Sequence, residues 1–244
     1  MIAMLSPAKN MRPTERPDIK TAAPRYMELT RRLWDELRAL APHELESVLH
    51  VGPRIALRAC ADFAEWRDEG GTAAALTFDG LAYRYLDAHS LSKWELEYAQ
   101  EHLRLLSGFY GPLRPLDAIH PYRLELAHKI GGQSLYGFWD KTFYEDLFAA
   151  GEPGIDLASK EYSRAVRAFL RPGDQLIACN FLVYSRGKLR CLPTMAKMAR
   201  GAMARFILQN QLDGPEQLPF FDWNGFHFEG SLSSEAELVF ISRE

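Results

Sequence analysis

Short apolar runs, separated by stretches long enough for a helix, limit what this chain can fold into. Ile2, Ala3, Met4 and Leu5 form such a run, closed by Ser6-Pro7. It is too short for a helix and lacks the alternation of a half-exposed strand, so it reads as a buried strand at the start of the chain. Residues 104–107, 155–159 and 175–184 repeat the pattern, and residues 188–192 complete a hairpin with the last of these around Arg186-Gly187. Residues 74–78 read as a further strand, and residues 223–228 and 238–241 as the final ones. Helical patterning fills the gaps. Tyr26, Leu29, Leu33, Leu37 and Leu40 recur at helical spacing within residues 24–40. Further helices are expected over 42–49, 54–66, 136–147, 160–170 and 195–209, and from a Ser92 cap to Leu103. Residues 6–22 hold Pro7, Pro13 and Pro17 and read as a loop. Some strands are separated by helices and others only by turns. The expected class is therefore α/β, a mixed sheet flanked by helices, in a single unit over residues 1–244. Within it, residues 42–68 form an inserted helical element shaped like a helix–hairpin–helix.

Composition narrows the function classes. Of 244 residues, 47% are hydrophobic and 25% charged, which excludes a disordered chain, a collagen and a coiled-coil rod. With 29 Lys and Arg against 32 Asp and Glu, the formal charge is −3, so a polyanion partner would have to be met by uneven placement of charge. Cys60, Cys179 and Cys191 are odd in number and contain no C-x-x-C pair. That argues against a disulfide framework and a structural zinc site, and the histidines show no ligand spacing, so neither a metal nor a cofactor is expected. No run nears the ~18 apolar residues of a membrane span, and the N-terminus lacks a signal-peptide core. The expected location is the cytoplasm, with no membrane partner.

The nucleotide-loop, nucleophile-elbow and zinc-protease motifs are absent. Three other features stand out. Leu49-His50-Val51-Gly52-Pro53-Arg54 has the shape of a helix–hairpin–helix turn, in which a glycine lets backbone N–H groups face a phosphate, with Arg54 and Arg58 adding charge. An ordinary αα-hairpin is the plain alternative. Secondly, Arg186, Lys188, Arg190, Lys197, Arg200 and Arg205 lie in a stretch without acids before Asp213. On a helix, Lys197, Arg200, Gly201, Ala204 and Arg205 fall opposite an apolar face, so the alternative to an anion site is a solvated face. Thirdly, the segment from Leu106 to Glu125 combines Gly108, Gly111, Pro112, Pro115 and Pro121 with Ser107, Tyr110, Arg114, Asp117, Tyr122 and Arg123. A rigid loop after a strand is a common place for a site. Ser6 and Ser107 each end an apolar run. If those strands are parallel neighbours, Ser6, Lys9, Ser107, Tyr110, Arg114, Asp117, Tyr122 and Arg123 would gather beyond the strand ends. Lys9, Tyr110 and Asp117 are then the candidates for catalysis. The alternative is a structural plug in which Arg114 and Asp117 pair with each other.

Six ordered blocks make the chain resemble the YaaA family of peroxide-stress-resistance proteins. These are Ser6-Pro7-Ala8-Lys9; Phe78-x-Gly80-x-x-Tyr83; the run from Leu106 to Leu126; Leu135-Tyr136-x-Phe138-Trp139; Leu157-Ala158-Ser159-x-Glu161-Tyr162; and Ala196-Lys197-x-Ala199-Arg200-Gly201-x-Met203-Ala204-Arg205. Leu81, Tyr85 and Met198 depart from the family's usual residues. The resemblance implies a compact α/β unit with a helix–hairpin–helix-like element. It also implies a role in hydrogen peroxide stress that limits iron-linked damage to DNA, with DNA binding of little sequence preference.

Two functions are therefore carried forward. In the first, DNA phosphates meet Gly52, Arg54, Arg58, Lys197, Arg200 and Arg205 in a salt-dependent, sequence-blind contact, on double- or single-stranded DNA. In the second, an enzyme acts on a nucleotide or nucleobase held by the loops after residues 6 and 107. Direct iron binding is a third and weaker option.

Overall fold

The computed structural model describes residues 1–185 and 187–243. Eight strands form the main sheet: β1 (Ile2–Leu5), β2 (Leu103–Ser107), β3 (Gly111–Leu113), β4 (Gly154–Leu157), β5 (Leu176–Ser185), β6 (Lys188–Arg190), β7 (Phe226–Phe228) and β8 (Glu237–Arg243). Their order is β7-β8-β5-β4-β1-β2-β3, with β6 paired to β5. From β8 through β5, β4 and β1 to β2 every pairing is parallel, and β3, β6 and β7 join antiparallel. β1, β2 and β4 are buried at every position. This is the behaviour of parallel strands covered on both faces, and it is why they read as mainly apolar runs, with Arg104 and Asp156 buried among them.

Among the described residues nine α-helices surround the sheet: α1 (Met27–Leu37), α2 (Pro42–Leu49), α3 (Pro53–Glu65), α4 (Leu81–Leu86), α5 (Lys93–His102), α6 (Leu135–Trp139), α7 (Thr142–Leu147), α8 (Lys160–Arg167) and α9 (Pro193–Asn210), besides a single turn at Ala74–Thr77. Local chemistry explains several boundaries. Ser92 and Glu95 form a reciprocal capping box at the start of α5, and Pro42, Pro53 and Pro193 open α2, α3 and α9. Leu45, Leu49, Ala56, Ala59 and Phe63 of the α2–α3 hairpin belong to the same apolar cluster as the strands. No helix among the described residues is long and apolar enough to cross a membrane.

The structure redraws two expected elements. Residues 74–78 are not a strand. Thr72–Ala73 pairs with Ala118–Ile119, Ala74–Thr77 makes one helical turn, and Phe78–Asp79 pairs with Asn10–Met11 inside the expected 6–22 loop. The Thr77 hydroxyl bonds the carbonyls of Thr72 and Ala73 and holds that turn. The helix expected over 136–147 is two, because Asp140 adopts φ +45° between α6 and α7. α4 had no counterpart in the sequence reading.

The registers position the site. Leu5 lies opposite Leu105 of β2 and Leu157 of β4. The chain segments after β1, β2 and β4 therefore leave the sheet at one end, as expected for Ser6 and Ser107.

Candidate functional site

Beyond the carboxyl ends of these strands lies a cavity of about 420 Å³. Its walls are the segment from Ser6 to Met11, the entry to α4 from Asp79 to Tyr83, residues 122–125, the entry to α8 with Ser159, Glu161 and Tyr162, and Lys197 and Arg200 of α9. Two glycines let these walls close. A Cβ on Gly80 would lie 2.9 Å from the Ala8 Cβ, and one on Gly201 only 1.9 Å from the Ala82 carbonyl oxygen. Gly201 therefore seats α9 directly on the backbone of α4, and its neighbours Lys197 and Arg200 share the face turned to the cavity.

The polar groups at the strand ends bond one another. Ser6 Oγ accepts from the Ser159 amide at 2.8 Å and donates to Ser159 Oγ at 3.2 Å. Ser159 is the residue before α8, yet its hydroxyl is turned to Ser6 and does not cap the helix. Tyr83 donates its phenol proton to the Ser6 carbonyl at 3.1 Å. The Tyr122 hydroxyl meets Ser107 Oγ at 2.7 Å, and Ser107 Oγ accepts from the amides of Phe109 and Tyr110. Burial raises the phenols of Tyr83, Tyr122 and Tyr162 far above the ordinary tyrosine range, so they remain protonated.

Charge is divided between two ends. At one, Glu125 binds Lys9 Nζ at 2.6 Å and Arg123 at 3.0 Å, while Arg123 also donates to the Lys9 carbonyl at 3.1 Å. Glu161 stands near this group. Burial, followed by the charge of Glu125, raises its carboxyl above the usual range, and the Ala127 amide donates to it at 3.3 Å. At the other end are Lys197 and Arg200, neither of which has an acidic partner among the described residues. Arg200 is half-buried, and its Nε is shielded from solvent without a hydrogen-bond partner. Burial lowers its pKa, and the groups that act on its charge are Cys191, Asp156 and Cys179.

The residues expected at a site divide accordingly. Ser6, Lys9, Tyr122 and Arg123 line the cavity, joined by Lys197 and Arg200 from the acid-free stretch. Ser107 lies behind Tyr122. Tyr110, Arg114 and Asp117 are elsewhere. Tyr110 is buried, accepting from Trp66 Nε1 at 2.8 Å and from the His120 amide at 3.0 Å. Asp117 is fully buried and takes the Arg114 amide at 2.9 Å and its guanidinium at 2.8 Å. The segment around them is the structural plug. Arg205 donates to the carbonyls of Leu86 and Asp87, both at 3.0 Å, and so closes the end of α4. Arg58 pairs with Asp62 at 2.8 Å. Arg186 lies outside the described residues.

The α2–α3 turn differs from its expected form. His50 takes the left-handed conformation at φ +49°, whereas Gly52 is extended at φ −78° and precedes α3. A Cβ there would meet nothing within 4 Å. Gly52 and Arg54 are exposed. The His50 ring lies 6.0 Å from that of His128, whose Nδ1 accepts from the Glu125 amide at 3.0 Å. The hairpin thus stands beside the cavity wall. Sequence reasoning gave no role to Asn10, Asp79, Tyr83, Glu125, Ser159, Glu161 or Tyr162. The available signals were that Ser159, like Ser6, closes an apolar run, and that Tyr83, Glu125, Ser159, Glu161 and Tyr162 all fall within the ordered blocks. Among the described residues no three His, Cys, Asp or Glu side chains gather as a metal site.

A family model described as peroxide stress protein YaaA matches residues 1–232. The chain belongs to the YaaA family. Among curated relatives, a UPF0246 protein of Maricaulis maris is 40% identical, over 98% of this chain and 95% of its own. A UPF0246 protein of Saccharophagus degradans is 35% identical over the whole of both chains. One of Clostridioides difficile is 31% identical over 99% of each. The YaaA match is therefore end to end, as the ordered blocks implied.

Proposed function

We propose that this YaaA-family protein serves the peroxide stress response by binding DNA through its phosphate backbone, with little sequence preference, and so protects it from iron-linked oxidative damage. The family's description supplies the stress role. The observation that carries the DNA reading is the gathering of Lys9, Arg123, Lys197 and Arg200 at one cavity, with Lys197 and Arg200 free of acidic partners among the described residues. Cations that no acid satisfies are available to exchange counterions with phosphates. Arg54 extends this set. It is exposed in the first turn of α3, which carries no acid there and no side-chain cap, a setting that favours an anion. Arg58 and Arg205 already have partners and contribute less. Duplex titration of single variants tests this. Lys197→Ala and Arg54→Ala should each weaken binding and reduce the salt slope by about 1, whereas Arg58→Ala should change it little. Equal affinity across all three variants and the parent chain would remove the reading.

A second reading is favoured by the same cavity and its half-buried Glu161. A nucleotide or nucleobase enzyme would use a carboxyl held above its usual range as a proton donor or acceptor. Turnover lost in Glu161→Gln, with binding kept, is its signature.

A further inference from the structure

We infer that the cavity binds the phosphomonoester of a nucleoside, its phosphate at Lys197 and Arg200 and its hydroxyl or amino donors at Glu161. The inference deepens the reading of the cleft as a phosphate site, on which it rests. Backbone contact with a duplex needs only exposed cations. Arg200 offers more than that: it is half-buried, has no ion pair among the described residues, and hides an Nε with no partner. A buried donor without an acceptor is costly, and a phosphate oxygen beside it would recover that cost. Lys197, one helical turn away on the same face, supplies a second cation and is exposed at the mouth.

The opposite end fits a different part of such a ligand. Glu161 stands beside Glu125 and Lys9, whereas Lys197 and Arg200 form no ion pair among the described residues, so the two ends differ in charge. Glu161 spends one oxygen on the Ala127 amide. Tyr83, Tyr122 and Tyr162 line the same cavity and add apolar wall that a base can pack on. A volume of about 420 Å³ falls within the roughly 300–1,000 Å³ of small-molecule sites. The shared chemistry is a phosphomonoester, either of a free mononucleotide or at a strand end.

Calorimetric titration of the full chain with deoxyadenosine 5′-monophosphate, deoxyadenosine and inorganic phosphate tests it. The monophosphate should bind once per chain, and each of the other two at least tenfold more weakly. Arg200→Ala should lose at least tenfold and Arg200→Lys less, both with the parent's thermal unfolding; Arg200→Lys is decisive if Arg200→Ala does not fold. Equal binding of nucleoside and monophosphate, equal binding of bare phosphate, or undiminished binding by a folded Arg200 variant would each overturn the inference. A 5′-phosphorylated trinucleotide that binds tighter than the monophosphate, and loses that gain without its phosphate, assigns the site to a strand end; equal binding assigns it to the free nucleotide. Duplex titration separates the two readings. Monophosphate binding without duplex binding defeats the DNA reading alone, and the converse defeats this one alone.

Discussion

Asp146 shows how much of this molecule's ionic chemistry is structural. It is buried on α7, with one oxygen on Arg104 of β2 at 2.6 Å and the other on Arg25 at 2.9 Å and the Tyr26 hydroxyl at 3.0 Å. Arg104 also gathers the carbonyls of Gln100, Glu101 and Leu103. Asp146→Ala strands a buried guanidinium, so urea unfolding should show a loss of about 3–5 kcal/mol. His128 gives a pH dependence. Burial lowers its pKa from 6.5, so the folded chain keeps it neutral, with Nδ1 accepting from the Glu125 amide. The unfolded chain takes up the proton first. Its contribution is complete above about 6.5 and is lost as pH falls through that value toward the lower folded pKa. His128→Asn keeps an acceptor without the titration, and its stability should fall less between pH 7.5 and 5.5 in urea denaturation. A slope equal to the parent's would assign the dependence to other groups. Of the site residues, Lys197 and Arg200 were legible because no acid lies near them in sequence. Glu125 and Glu161 were not, since their role comes from burial beside one another across three dozen residues. Asp117 misled because a catalytic and a structural carboxylate look alike until burial is known.

At the scale of elements, the apolar runs were readable because parallel strands are buried on both faces, and Ser92–Glu95 because a capping box is local. The Ala74–Thr77 turn and α4 were not, being too short for any period to register. The helix α9 exceeded its projection. On the side weighed as an anion site or a solvated face, Gly201 and Ala204 are buried because α4 packs there, while Lys197 is exposed. Gly201→Ala should therefore force α9 off Ala82, costing about 1–3 kcal/mol by overpacking in thermal or urea unfolding. Gly52→Ser is the contrast. Its φ of −78° needs no glycine, nothing would meet the new Cβ, and serine caps a helix at least as well. Unchanged or slightly raised stability is the expected result, and a loss above about 1 kcal/mol would contradict the turn geometry.

For the whole molecule, the formal charge of −3 conceals an uneven placement of charge. Lys197 and Arg200, without acidic partners among the described residues, sit at the carboxyl end of the parallel sheet, while others, such as Arg58, Arg114 and Arg205, are held in pairs or caps. Average charge could not reveal this, because only the strand registers bring Lys9 and α9 to one end. A chain of this net charge has no general attraction for DNA, so the proposed binding would have to come from local groups of cations such as this one. The direct test is duplex affinity measured over a series of salt concentrations. The account predicts that log K falls linearly with log salt, with a slope of about −0.9 for each phosphate engaged, roughly −3 to −4 for the unpaired and rim cations, and no dependence on base sequence. A flat response, or the same slope in a chain carrying both Lys197→Ala and Arg200→Ala, would contradict it.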